Sequence, residues 1–371
     1  MANSIASIVV ASLAPLLGSI ADQGSAKKKF LIFYAFLGVI MTGGLWMVSQ
    51  GNWQMAVLFY VIATIGFASG NVFYDSLLPG LASEERVDIV SSLGFGLGYL
   101  GGGLLFLVNV FMYLKPEIFG ISDGATAIKL SFLSVAVWWA VFTIPLILFV
   151  PEPKNYDAVD IKNAIQMGWI QLIQTFDEIR NMKVVGTFLL AYFFYIDGVD
   201  TIIKMAVDYG MSLNFSGESL IIALLIVQFV AFPAALIYGQ LSSKVGIKTA
   251  IMIGIIAYSF ITFLGYFITK AWHFYVLAIL IGLFQGGIQA LSRSLYTRII
   301  PVEKSAEFFG FYNMLGKFAA IIGPALMGTI SLVTGSARLG ILSILLLFIL
   351  GAFFLNKVDL DEGKRLAADG L

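Results

Sequence analysis

The sequence of 371 residues holds no cysteine and only one histidine, His273. Without cysteine there can be no disulfide, no thiolate metal site and no thiol nucleophile. A lone histidine excludes the paired His-x-x-x-His metal motif, and neither G-x-S-x-G nor the phosphate loop G-x-x-x-x-G-K-[ST] occurs. Charge is scarce as well. Asp, Glu, Lys and Arg make up 12% of the chain, about half of the roughly 25% of a soluble domain. Basic and acidic residues balance at 22 each, so net charge argues neither for nor against an anionic partner such as nucleic acid. The expectation is no enzyme, no cofactor, no metal and no nucleic-acid partner. No basic segment leads the first apolar run, which reads against a secretory signal.

What the chain has is apolar length. It is 59% hydrophobic, and a bilayer core is spanned by about 20 such residues in a helix. Eleven spans are expected, at 4–21, 30–48, 54–75, 89–113, 129–150, 184–205, 219–239, 249–269, 273–295, 308–332 and 339–356. Sixteen Lys and Arg fall in one set of loops and the C-terminal tail, five on the other side, and Lys317 inside a span. Basic loops stay in the cytoplasm. The expectation is a C-terminus inside and Met1 outside, in a plasma or bacterial inner membrane. Between 151 and 183, Ile161, Ile165, Trp169, Leu172, Ile173 and Phe176 recur at helical spacing, as in a helix lying on the membrane surface.

The chain repeats itself. Gly18-Ser-Ile-Ala-Asp22 to Lys27 aligns with Gly239-Gln-Leu-Ser-Ser to Lys248 at an offset of 221. Leu77-Leu78-Pro79 aligns with Ile299-Ile300-Pro301, and Gly94 and Gly101 with Gly316 and Gly323, at 222. Two parallel repeats follow, as in major facilitator transporters. The domains expected are a bundle over 1–150, a linker over 151–183, a six-helix bundle over 184–356 and a tail over 357–371. At that offset the span from Val184 has no twin within the chain, so five spans precede the linker where six are expected.

Polar residues within spans nominate a solute or ion pathway. Asp197, Asp200 and Lys204 share one face of the sixth span, and a buried charge there is costly enough to imply a cavity or a partner. Asn71, Gln285, Gln289, Arg293, Asn313 and Lys317 complete the set. Gly18, Asp22, Lys27, Lys28, Gly239 and Lys244 form candidate gating loops, with Asp22 suited to accept hydrogen bonds from a neighbouring helix start. Gly96-x-Gly98-x-x-Gly101 lies inside a span, where it cannot bind a dinucleotide; Gly94, Gly98 and Gly102 are expected to pack another helix.

The loop Gly18 to Lys29 resembles the signature loop between helices 2 and 3 of the major facilitator superfamily, with Gln23, Ser25 and Ala26 departing from it. Tyr192-Phe-Phe-Tyr-Ile-Asp197-Gly198-Val-Asp200-Thr201-Ile202, Gln285-Gly-Gly-Ile-Gln289-Ala-Leu-Ser-Arg293-Ser and Glu307-Phe-Phe-Gly310-Phe-Tyr312-Asn-Met-Leu-Gly-Lys317-Phe resemble helices 7, 10 and 11 of one family within it. That family is the uncharacterised group that includes fungal autophagy-related vacuolar effluxers. The resemblance implies an all-α polytopic membrane protein of major facilitator fold, lacking the first helix. Its implied function is a secondary transporter of a small solute such as an amino acid, by alternating access and coupled to protons. An exporter of amphipathic compounds, a lipid flippase, a receptor or scaffold, and a degenerate carrier are the alternatives.

Overall fold

The computed structural model describes residues 2–152 and 182–368, with positions 163, 167, 170, 172–175 and 178 between them. The expected surface helix over 151–183 therefore lies largely outside the described residues. Apolar length dictates the elements. In order they are α1 (Ala2–Gln23), α2 (Lys27–Gly44), α3 (Trp53–Leu81), α4 (Val87–Leu114), α5 (Gly124–Phe149), α6 (Lys183–Ser212), α7 (Gly217–Val245), α8 (Ile247–Tyr266), α9 (Ala271–Arg298), α10 (Ser305–Thr334), α11 (Ala337–Ser343), α12 (Leu345–Asn356) and α13 (Leu360–Ala368). Among the described residues, eleven spans are long and apolar enough to cross a membrane. The last expected span, 339–356, is two helices, α11 and α12, meeting at Ile344. Neither proline nor glycine marks that junction in the sequence.

Starts and stops follow from local chemistry. Asp123 opens α5 by accepting the Thr126 N–H at 2.9 Å, and Ser216 opens α7 through the Ser219 N–H at 3.2 Å. Such caps satisfy donors that a helix start leaves unpaired. Gly246, at φ +86°, separates α7 from α8 in a conformation that only glycine adopts readily. Lysines close helix ends in the complementary way, by donating to carbonyls. Lys28 Nζ donates to the Ile147 and Val150 carbonyls at the end of α5, at 2.8 and 2.6 Å. Lys248 Nζ donates to the Asn356 and Val358 carbonyls beyond α12, both at 2.8 Å. In return Glu152 accepts the Lys28 N–H at the start of α2.

The helices form two compact units. The first comprises residues 1–81, 104–177 and 302–317; the second comprises 82–103, 178–301 and 318–371. In the first, α2 packs closely on α3 and α5. A Cβ at Gly66 would sit 2.7 Å from the Gly38 nitrogen, and the Trp139 ring fills the space over Gly38. In the second, α9 packs on α7, and α12 on α6. Large apolar side chains such as Phe33, Phe142, Leu148 and Ile237 are more than half exposed, as lipid-facing surfaces require.

The glycine stripe of α4 differs from expectation. Gly98 has open space around it, whereas Gly96 and Gly103 face α7, beside the Phe232 carbonyl and Gln228. Two glycine stripes share this helix, and residue spacing alone does not say which one meets the neighbour. Helix α12 approaches α6 closely at Gly351, where a Cβ would lie 2.9 Å from the Tyr195 nitrogen and 2.6 Å from its Cβ. Gly351→Val should force α12 off α6 and lower stability by about 1–3 kcal/mol. Gly328→Ala, with nothing near it, should be neutral or stabilising. Thermal unfolding of the two purified variants checks both.

Candidate functional site

In the first unit the candidate residues converge on the start of α10. Asp22, 7% exposed at the end of α1, accepts the Ala306 N–H on Oδ1 at 3.2 Å and the Glu307 N–H on Oδ2 at 2.8 Å. Those donors belong to the first turn of α10, where the N–H groups are unpaired and the helix dipole is positive. Lys27 Nζ lies 2.7 Å from Asp22 Oδ1 and donates to Ser305 Oγ at 2.6 Å. Ser305 in turn donates to the Ser76 carbonyl of α3 at 3.0 Å. The backbones come close enough that a Cβ at Gly18 would overlap the Ala306 carbonyl, and one at Gly310 would lie 2.6 Å from Pro15 Cα. Three consecutive lysines thus have three roles: Lys27 is in a buried ion pair, Lys28 closes α5, and Lys29 is exposed. Further along, Asn313 donates to Asp75 Oδ2 at 3.3 Å. Asn71 and Lys317, each one helical turn beyond this pair, are half-buried.

In the second unit Asp197 is fully buried on α6. Its Oδ1 accepts the Gly323 N–H at 2.9 Å and the Thr201 hydroxyl at 3.3 Å. Its Oδ2 has no hydrogen-bond partner among the described residues. Asp200 and Lys204 pair at 3.6 Å, with Lys204 41% exposed. Tyr99 of α4 donates to Gln289 at 2.7 Å, and the buried Gln285 Oε1 has no hydrogen-bond partner among the described residues. Arg293 is held by Ser91, through Nε to the hydroxyl and Nη2 to the carbonyl, both at 3.0 Å, and lies over the Phe95 ring. Lys244 is exposed, whereas a Cβ at Gly239 would lie 2.6 Å from Ser92 Oγ.

Sequence reasoning missed a second polar knot at the start of α4. Asp88 accepts hydrogen bonds from Ser242 at 2.9 Å, from Ser294, and from Arg298 at 3.0 Å. Arg298 also reaches Glu84 at 3.5 Å, and Lys364 of α13 binds the same carboxylate at 2.5 Å. Asp88, Arg298 and Glu84 stand at span edges, where charges usually read as solvated. The available signal was the four-residue spacing of Asp88, Ser92 and Gly96, a polar and small stripe on one face of α4. The Lys364 hydrogen bond holds the Glu84 carboxyl below its usual range.

Eleven spans with polar groups confined to a few helix faces define a polytopic helical membrane protein, and its fold is that of the major facilitator superfamily. The solved proton:xylose symporter XylE, bound to 6-bromo-6-deoxy-D-glucose, superposes with a TM-score of 0.75 at 15% identity, over 98% of this chain and 87% of that one. Over residues 1–368 the sequence matches the family described as vacuole effluxer Atg22 like, and the chain belongs to that family. An MFS-type transporter of Bacillus subtilis, YxiO, is 40% identical over 96% of this chain and 83% of its own length. Autophagy-related protein 22 of Saccharomyces cerevisiae is 27% identical over 99% of this chain and 77% of its own.

Two predictions follow from this chemistry. Asp22→Ala leaves the Lys27 ammonium and two backbone donors without their acceptor and should lower stability by about 3–5 kcal/mol. The Asp22→Ala, Lys27→Ala pair should lose less than the sum of the singles, a non-additivity that a thermal-unfolding cycle measures. A lowered folded-state pKa makes Glu84 stabilising above its unfolded value of about 4.3, and that contribution is lost as pH falls through the folded value. Docking of α13 should therefore be constant from about pH 6 to 8 and weaken only in acid, as hydrogen exchange over 360–368 would report.

Proposed function

We propose that this protein is a secondary active transporter that moves a small solute across the membrane by alternating access, driven by protons. The observation that carries the proposal is Asp197: a carboxylate fully buried inside a span, with one oxygen that no described residue engages. A carboxylate at that depth is costly unless it is paired or protonated. Transport gives it an occasion to exchange a proton. Asp200 and Lys204 act on it electrostatically, and Tyr99, within reach of Asp200, bonds Gln289; groups of both signs and both hydrogen-bonding senses suit a zwitterionic solute such as an amino acid. The family description, vacuole effluxer, favours export as the direction.

The moving parts in this reading are the repeat halves 1–150 and 184–356. The ends bearing the basic loops are cytoplasmic, with the C-terminus inside and the first described residues outside. Asp22 with Lys27, and Asp88 with Arg298, are then gates at the cytoplasmic ends, since each joins helices from different repeat halves and each must break if those halves part there. Asn71, Asn313, Lys317 and Arg293 are further candidates for the pathway.

A second reading, export of an amphipathic compound, has one observation in its favour. A cavity of about 50 Å³ in the second unit is lined by Ile202, Met205, Leu224, Val227, Phe274 and Met327 among other apolar side chains, and a dry apolar cavity accepts apolar groups. Accumulation of labelled amino acids by proteoliposomes, with and without an imposed pH gradient, tests the main reading. The gradient should raise uptake, and Asp197→Asn should reduce gradient-driven uptake about tenfold or more, as should the Asp197→Asn, Lys317→Met pair. Unchanged flux in these variants would sink the assignment.

A further inference from the structure

Helix α10 contains Pro324. Proline has no N–H to give, and its ring crowds the carbonyl four residues earlier, so regular helix bonding fails around it. The residue immediately before it, Gly323, donates its N–H across to Asp197 Oδ1 on α6 at 2.9 Å. The approach depends on glycine: a Cβ at position 323 would overlap Thr201 Oγ1 and lie 2.6 Å from Asp197 Oδ1. Thr201 donates to the same oxygen at 3.3 Å. The other oxygen, Oδ2, is buried with no hydrogen-bond partner among the described residues. The two oxygens of one carboxylate therefore have unlike surroundings.

We propose that they divide the work: Oδ1 clasps α10 at its proline break, and Oδ2 receives the transported proton, so that proton loading is felt directly by α10. The inference rests on the reading of Asp197 as the coupling residue and adds how its loading reaches another helix. The mechanism is a change in hydrogen-bond strength. While Asp197 is ionised, the Gly323 N–H donates to a carboxylate, a charge-assisted bond about twice as strong as a neutral one. A proton arriving on Oδ2 leaves Oδ1 as the carbonyl of a neutral acid. The geometry can persist, but the clasp loosens.

Few other charges can mask this. On α6 the charged groups acting on Asp197 are Asp200 and Lys204. From Phe318 to Thr334, α10 carries no titratable side chain, and α12, whose Phe348 packs against Gly198, has none either. Tyr258 of α8 and Tyr99 of α4 lie within electrostatic reach of Asp200. Helix α10 also belongs to both compact units, the first up to Lys317 and the second from Phe318. Its start is held by Asp22 and its break by Asp197, so a change at the break acts on a helix that is anchored elsewhere.

Amide hydrogen exchange on the full chain in lipid nanodiscs, at single-residue resolution around Gly323 and corrected for the intrinsic effect of pH on exchange, tests the clasp without any knowledge of the solute. Going from about pH 8 to about pH 5, exchange at Gly323 should quicken several-fold in the unaltered protein. Asp197→Asn keeps an oxygen acceptor but no charge, so it should exchange at the faster rate at both pH values. Thr201→Val keeps the carboxylate and should keep the pH response. A pH response that survives in Asp197→Asn, or Asp197→Asn protection equal to that of the unaltered protein at the higher pH, would overturn the proposal. The readout also separates the two readings. A pH-responsive clasp in a protein whose flux ignores a pH gradient would keep the clasp and remove the coupling. Proton-driven flux with a pH-insensitive clasp would do the reverse.

Discussion

One interaction recurs where this fold is most constrained: a buried carboxylate accepting a backbone N–H of α10. Asp22 takes the Ala306 and Glu307 N–H groups at the start of that helix, and Asp197 takes the Gly323 N–H beside Pro324. The first is a helix start, where backbone donors are unpaired; the second adjoins a proline, where the helix ladder lacks one bond. In a bilayer such donors cannot turn to water. A carboxylate there stabilises the helix and is itself stabilised, and that reciprocity lets two aspartates stay inside an otherwise apolar chain. The rest of the packing serves these contacts. Gly18, Gly310 and Gly323 remove side chains where a Cβ would hold the backbones apart.

The lysines obey the same rule with the sign reversed. Lys28 at the start of α2 and Lys248 at the start of α8 each give the ammonium to two carbonyls at the end of a helix. Helix ends carry unpaired carbonyls and a negative partial charge, so basic residues at this edge of the spans do structural work beyond setting orientation. Asp88 and Arg298 form the counterpart knot in the second unit. Breaking either knot costs buried ionic contacts, and this is why they suit gates in the proposed cycle.

The spans were legible because a bilayer demands length and apolarity, and both are written in the residue order. Asp197 was legible for the opposite reason, as a charge where charges are costly. The Asp22 contact was legible in kind, since an acidic residue just after a span has a helix start as its natural partner. What could not be read is which residues of a run face inward. Lys27, Lys28 and Lys29 are the same letter, yet steps of about 100° around a helix give them a buried pair, a helix cap and an exposed side chain. Gly96 and Gly98 differ by about 200°, which puts one against α7 and the other in open space. The knot at Asp88 was hidden because Glu84, Asp88 and Arg298 sit at span edges, where sequence cannot distinguish a solvated charge from a paired one. The junction at Ile344 carries no breaker residue at all.

Everything functional in this account turns on Asp197 holding its proton at one oxygen while the other grips α10. Infrared difference spectroscopy across a pH titration reads that proton directly, through the C=O stretch of a protonated carboxylic acid. A component of the protonated-acid band should grow as pH falls and be missing in Asp197→Asn. Titrations of the unaltered protein and of Asp197→Asn that show the same protonated-acid bands would contradict it.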